Sequence, residues 1–188
     1  MDTDYYWQGR GAGYKAEFRR HDPLTRFRFW QQERAIRKEL KALCGVESVL
    51  EIGCGFGRIT KLLLELPDVK RVVATDISKD QIEAAKRTIK DPRVEFRCTS
   101  VLDLDYSKEF DLVIASEVLM HIPHPSVWKA IRRMKAASKR YIMNIDWYAP
   151  GEPSEAGGYC WQHDYSLVYP EETRIKKLHR QAIWIGSI

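Results

Sequence analysis

The amino-acid sequence predicts an α/β domain built on a mostly parallel, twisted sheet of six or seven strands with helices on both faces. Three observations lead there. A short apolar run, Val49-Leu50-Glu51-Ile52, breaks into the alternating glycines Gly53, Gly55 and Gly57 and then into the helix-like Arg58-Ile59-Thr60-Lys61-Leu62-Leu63-Leu64, which reads as buried strand, tight turn and helix. Further short runs of branched residues alternate with amphipathic stretches, the repeat that defines an α/β architecture. A strand, helix, strand run of this length also predicts a parallel pair with a right-handed crossover.

Residues 1–22 carry aromatics, glycine and arginine without periodicity, and read as an irregular segment packed onto the domain, since Tyr5, Tyr6, Trp7 and Tyr14 are too apolar to leave in water without a reason. Pro23 opens a helical pattern through Leu24, Phe27, Trp30, Ile36, Leu40 and Leu43 that ends near Gly45. That helix either covers the core or helps bind a substrate. After the glycine turn, Arg71–Thr75 reads as a second buried strand, Ser78 as the cap of a helix ending at Asp91-Pro92, Val94–Phe96 as a third strand and Asp111–Ala115 as a fourth. Ser126–Ala137 is amphipathic, and Tyr141–Ile145 is the fifth strand. Ala149–Gly158 is a loop by composition. Beyond it the pattern gives a helix over Glu171–Arg180 and a last strand in Ala182–Ile185, which leaves the seventh strand open.

The 188 residues fit one domain, 1–188, large enough for a proper core. A hydrophobic content of 44% with 30% charged residues is that of an ordinary globular protein, and no apolar run reaches the roughly 20 residues of a membrane span. The N-terminus lacks the basic flank and apolar centre of a signal peptide, so no membrane association and a cytoplasmic location are expected. The four cysteines have no paired spacing, so neither a zinc site nor a disulfide framework is expected and the metal sites are set at none. A net charge of +5 with a pI near 9.0 would suit an anionic partner. Lys and Arg are spread along the chain among Glu and Asp, however, which does not favour nucleic acid.

Asp76 stands at the end of the second strand, about twenty residues past the glycine turn, where an acid in a doubly wound fold accepts both hydroxyls of a ribose. Alone, it would read equally well as a helix cap. A dinucleotide site would ask for G-x-G-x-x-G around a pyrophosphate. The spacing here is Gly53-x-Gly55-x-Gly57, with an acid, Glu51, at the strand end, suited to an ammonium group instead.

The wording Val-Leu-Glu-Ile-Gly-Cys-Gly-x-Gly resembles the first motif of the class I S-adenosylmethionine (SAM) dependent methyltransferases. The resemblance runs from about Val49 to Ile145 and implies a three-layer Rossmann-like sandwich with SAM as cofactor and S-adenosylhomocysteine as product. It implies cofactor contacts from Glu51, Gly53, Cys54, Gly55, Asp76 and Ile77. Ser100 and Val101 match the adenine loop, with serine where the family often has aspartate. Phe110–Pro123 is similar to the fourth motif, which puts Ser116, Glu117 and His121 beside the donor methyl group. Tyr6-Trp7 to Arg10-Gly11 is similar to a lid of small methyltransferases, so residues 1–22 are expected to close over the site.

Methyl transfer from a sulfonium is an in-line displacement that needs a cavity, alignment and in some cases one base, but no metal. The candidate bases are His163 and His121, because an unperturbed histidine titrates near working pH. Each also has a structural reading, as a bonded turn residue. Residues 147–188 read as a substrate loop and C-terminal strand region. Tyr159, Trp161, Asp164 and Tyr165 there, facing Trp7 and Tyr14 of the N-terminus, combine apolar faces with directed polar groups as small-molecule pockets do. His163-Asp164-Tyr165 resembles some methyltransferases that modify sugars or glycans. The Asn/Asp-Pro-Pro-aromatic motif of base-amino methylation is absent, as is a Pro-Cys nucleophile. The reading is therefore methyl transfer to an oxygen or nitrogen of a small polar acceptor. RNA or a protein side chain is the competing acceptor class, and a SAM-binding partner subunit without turnover is the non-enzyme alternative. Nothing in the sequence sets the oligomeric state.

Overall fold

A computed structural model describes residues 6–8, 13, 20, 22–147, 154–157, 160–165, 169, 174–178 and 181–188. Helix α1 (Pro23–Lys41) starts where Asp22 accepts hydrogen bonds from the Leu24 and Thr25 amides, with proline at the first position. Then follow β1 (Ser48–Ile52), α2 (Arg58–Leu64), β2 (Arg71–Asp76), α3 (Lys79–Thr88), β3 (Val94–Cys98), β4 (Phe110–Ser116), α4 (Ser126–Ala137) and β5 (Ser138–Trp147). Ser78 caps α3 as expected, its side chain accepting from the Gln81 amide. The remaining strands are β6 (Ser154–Gly157), β7 (Cys160–Gln162), β8 (Arg174–Leu178) and β9 (Gln181–Ser187).

Seven strands form one sheet in the order β3-β2-β1-β4-β5-β9-β8. The first five neighbours pair in parallel, whereas β9 is antiparallel to both β5 and β8. The alternation of a strand sends successive side chains to opposite faces, and two cores result. Val49, Val72, Leu112, Ile114 and Met143 pack with Ile36, Leu63 and Ile82 of the helices on one face. Leu50, Val73, Val113, Ala115 and Ile142 pack with Val127, Ile131 and Met134 of α4 on the other. This is the expected three-layer arrangement, and it has the seventh strand.

Two stretches differ from the sequence reading. The helix expected over Glu171–Arg180 is corrected to the strand β8 at Arg174–Leu178, paired with β9 from Arg174↔Ile185 to Leu178↔Gln181. Its alternation is visible in its ion pairs, because Arg174 and Lys176, two residues apart, both reach Glu39 of α1, at 2.9 and 3.5 Å. A polar, lysine-rich run carries little period of its own, and the open edge of β9 decides its conformation. The loop expected over Ala149–Gly158 includes β6, which pairs antiparallel with β7 as a separate small sheet. Tyr14 and Tyr159 lie outside the described residues.

Strand order reverses beside β1, since β2 lies on one side of it and β4 on the other. The carboxyl ends of β1 and β4 therefore diverge around a crevice, the place where open α/β sheets bind ligands.

Candidate active site

That crevice opens into a cavity of about 530 Å³, lined among others by Gly53, Cys54, Gly55, Asp76, Ile77, Ser100, Val101, Ser116, Glu117 and His121. Its floor is the glycine turn. Gly53 has φ +65°, and a Cβ there would lie 2.3 Å from Cγ2 of Val118, so only glycine lets β1 leave the sheet this close to the end of β4. At Gly55, with φ +55°, the nearest atom an added Cβ would meet is Oε1 of Gln81 at 3.8 Å. Packing does not demand glycine there, and the open space fits close approach of a ligand to the backbone.

Asp76 joins the turn to the end of β2. Its carboxylate accepts from the Gly55 amide at 2.8 Å and from the Ser78 amide at 2.9 Å. Burial raises its pKa, against the pull of these backbone bonds. Across the cavity, the Ser116 hydroxyl is buried with no hydrogen-bond partner among the described residues, a polar atom on the wall suited to a ligand's polar group. Ser100 caps the short 3₁₀ turn Val101–Asp103 by accepting from the Leu102 amide at 3.3 Å. Glu117 adopts φ +57°, uncommon for a residue with a side chain. Its carboxylate is held by Arg58 at 3.1 Å and by Gln181 of β9 at 2.6 Å, and Gln181 in turn accepts from Gln32 of α1 at 2.8 Å.

Glu51 does not line this cavity. It is buried beneath the turn, where the Thr60 hydroxyl of α2 donates to it at 2.6 Å, and burial pushes its pKa up to about 7. A side chain four residues before Gly55 on a strand buried on both faces points into the layer between sheet and helix rather than past the strand end.

His121 sits in the 3₁₀ turn Leu119–His121, on the cavity wall. Its Nδ1 lies 3.5 Å from the Cys160 sulfur of β7, and its ring meets that of Trp7 edge-on at 4.6 Å. Trp7 is itself on the wall. Asp146, unremarked in the sequence, pins this turn. Its carboxylate accepts from the Met120 amide at 3.0 Å and the Tyr165 hydroxyl at 3.2 Å, and burial pushes its pKa up to about 7.

His163 is not on the wall. It is buried, with Nε2 2.9 Å from the Ile122 carbonyl oxygen, a contact in which the ring donates and the neutral tautomer carries its proton on Nε2. Burial lowers its pKa and favours that neutral ring. Tyr165 is likewise corrected from pocket wall to core, packed against Trp184 at 4.9 Å. Trp161 and Asp164 are half-buried and off the cavity wall. Among the described residues of this segment, Cys160 and His163 reach the site indirectly, through His121 and Ile122 of its wall. Sequence reasoning also missed Phe29, Met120, Ile122 and Pro123 on the wall. Phe29 belongs to the helix for which a substrate role was left open.

A family of methyltransferase domains matches residues 49–140. Over 92 residues the chain is 30% identical to a malonyl-[acyl-carrier protein] O-methyltransferase of Priestia megaterium, covering 48% of this chain and 34% of that protein. It is 37% identical over 92 residues to a ubiquinone biosynthesis O-methyltransferase of Bradyrhizobium diazoefficiens, covering 48% and 35%. The chain thus spans about a third of the length of these curated relatives. Among solved structures, the magnesium protoporphyrin IX methyltransferase of Synechocystis PCC 6803 with bound SAM superposes with a TM-score of 0.75 at 17% identity, covering 100% of this chain and 97% of that one. The Burkholderia thailandensis 1,6-didemethyltoxoflavin-N1-methyltransferase gives 0.65 at 19%, covering 82% and 77%. At such identities the likeness is one of fold.

Proposed function

We propose that this chain, which belongs to the class I SAM-dependent methyltransferases, transfers the SAM methyl group to an oxygen or nitrogen of a small acceptor. The observation that carries the reading is the coupling of the glycine turn to Asp76 on one cavity wall. The residues fit the cofactor. Asp76 would hold the ribose hydroxyls, Gly53 and Gly55 would admit its amino-acid end to the backbone, and Ser100 and Val101 would flank the adenine. Ser116 and Glu117 would face the methionine portion. When bound, SAM supplies an electrophilic methyl carbon on a sulfonium. The chain's part is then to align an acceptor, exclude water and take a proton.

Trp7 and His121, in edge contact, would form the acceptor side, with residues 1–22 as its lid. His121 is the better base, because it is on the wall while His163 spends its proton on the Ile122 carbonyl. His163 then acts as a positioning residue for the loop that carries Ile122. The O-methyltransferase names of the matched relatives favour an oxygen acceptor.

Tritiated-methyl transfer from SAM to extract fractions tests the reading, with RNase or protease treatment separating macromolecular acceptors from small ones. Label confined to small molecules is expected, and label in no fraction would leave a SAM-binding subunit without turnover. With an acceptor in hand, His121→Ala should cut turnover by roughly 10²–10⁴ with SAM affinity little changed. Normal turnover in that variant would remove His121 as the base.

A further inference from the structure

Helix α1 keeps an apolar face in water. Leu24, Phe27 and Trp30 are 57%, 51% and 53% exposed, and they follow one another at three-residue spacing along the outer side of the helix. Phe27 and Trp30 stack at 5.7 Å, and the Arg34 guanidinium lies over the Trp30 ring at 5.6 Å. Large exposed aromatics clustered in this way mark an interaction surface rather than scattered surface apolars.

The charge of the same helix is one-sided. Arg26, Arg28, Arg34, Lys38 and Lys41 are all exposed. Both glutamates of the helix are withdrawn from that surface, because Glu33 pairs with Arg58 at 3.5 Å and buried Glu39 takes Arg174 and Lys176. Within Pro23–Lys41 no exposed carboxylate remains. The outer face therefore runs from apolar in its first turns to cationic toward its end. It matches the interfacial pattern in which Leu, Phe and Trp enter the acyl boundary while Lys and Arg meet anionic headgroups. No helix among the described residues is long and apolar enough to cross a membrane, and surface docking needs none.

We infer that the outer face of α1 docks the protein on an anionic lipid surface. Phe29, on the opposite, core-facing side of the same turns, lines the cavity, so docking through the outer face leaves the cavity beneath the helix.

Cosedimentation of the full chain with vesicles tests the docking without any acceptor. With phosphatidylglycerol mixed into phosphatidylcholine, binding should exceed that to phosphatidylcholine alone by tenfold or more, and it should fall as salt shortens the Debye length. Phe27→Ser with Trp30→Ser should lower it by roughly tenfold or more. Arg34→Gln with Lys38→Gln should remove most of the preference for the anionic lipid. Calorimetric SAM affinity should be unchanged in both double variants, which shows that each remains folded. Failure to bind anionic vesicles, equal binding to neutral ones, or unchanged binding in the double variants would overturn the inference. So would capture of an acidic protein with no vesicle binding. Those outcomes leave the methyl-transfer reading standing, whereas loss of SAM binding by the native chain with vesicle binding intact would refute that reading alone.

Discussion

Replacing Glu51 with glutamine should make the protein more stable at alkaline pH and no more stable in acid. The carboxyl is buried under the glycine turn and its pKa rises from an ordinary 4.5 to about 7, chiefly through burial. A raised acid means the folded state holds a proton that the unfolded chain has released, so stability falls as pH climbs from about 4.5 to about 7. The gap corresponds to about 3 kcal/mol, lost in full above the folded value. Glutamine keeps the shape and can still accept the Thr60 hydroxyl, now bonded to Glu51 at 2.6 Å, but it cannot ionise. Urea unfolding of both proteins at pH 5 and pH 8 measures the difference. The variant should match the parent near pH 5 and exceed it by about 1–3 kcal/mol at pH 8, part of the gap being lost to the unpaired amide. A variant destabilised as much at pH 8 as at pH 5 would refute the argument, because it would mean the charge is compensated where it lies.

Two further substitutions probe the floor of the cavity. Asp76→Ala removes a charged acceptor aimed at the site and should weaken SAM binding by about 1.5–3 kcal/mol by calorimetry; unchanged affinity, or tight NAD binding by the native chain, would overturn the cofactor assignment. Gly53→Ala places a methyl 2.3 Å from Val118 at φ +65°, and should cost at least about 1–3 kcal/mol of stability in thermal or urea unfolding. Adding Val118→Ala should return the steric part but not the backbone part; full recovery would mean that the backbone is not strained.

Much of this protein is legible in its residues because local and global preferences agree. Val49–Ile52, Arg71–Thr75 and Asp111–Ala115 are branched and continuous, as strands buried on both faces must be, and each lies inside an observed strand. Of the ten residues expected at the cofactor, nine line the cavity, all at strand ends or in turns that the glycines mark. Glu51 is the exception because nearness in sequence to a glycine turn does not say which way a strand side chain points. The misses cluster after β5, where sequence stops deciding. His163, Tyr165 and Cys160 lie within six residues of one another, and only tertiary packing sends the histidine to the Ile122 carbonyl, the tyrosine to Trp184 and the cysteine to His121. Asp146 gave no signal at all, being one acid near the end of a strand that is otherwise apolar or neutral from Tyr141 onward.

The buried carboxylates around the cavity share one logic. Asp76, Glu51 and Asp146 each have a pKa raised by burial, so each costs stability when ionised. None could give way to a hydrocarbon without a second loss. Asp76 satisfies the Gly55 and Ser78 amides, Asp146 the Met120 and Trp147 amides, and Glu51 the Thr60 hydroxyl. All but the Trp147 amide of β5 belong to the turns that shape the wall or to the helix that follows the glycines, so an apolar substitute would leave donors unsatisfied at the site itself. Each acid costs stability when ionised, yet its bonds fix backbone and side chains around the cavity. The acids therefore exchange global stability for local rigidity, and they do so where a flexible cofactor has to be held in line with its acceptor.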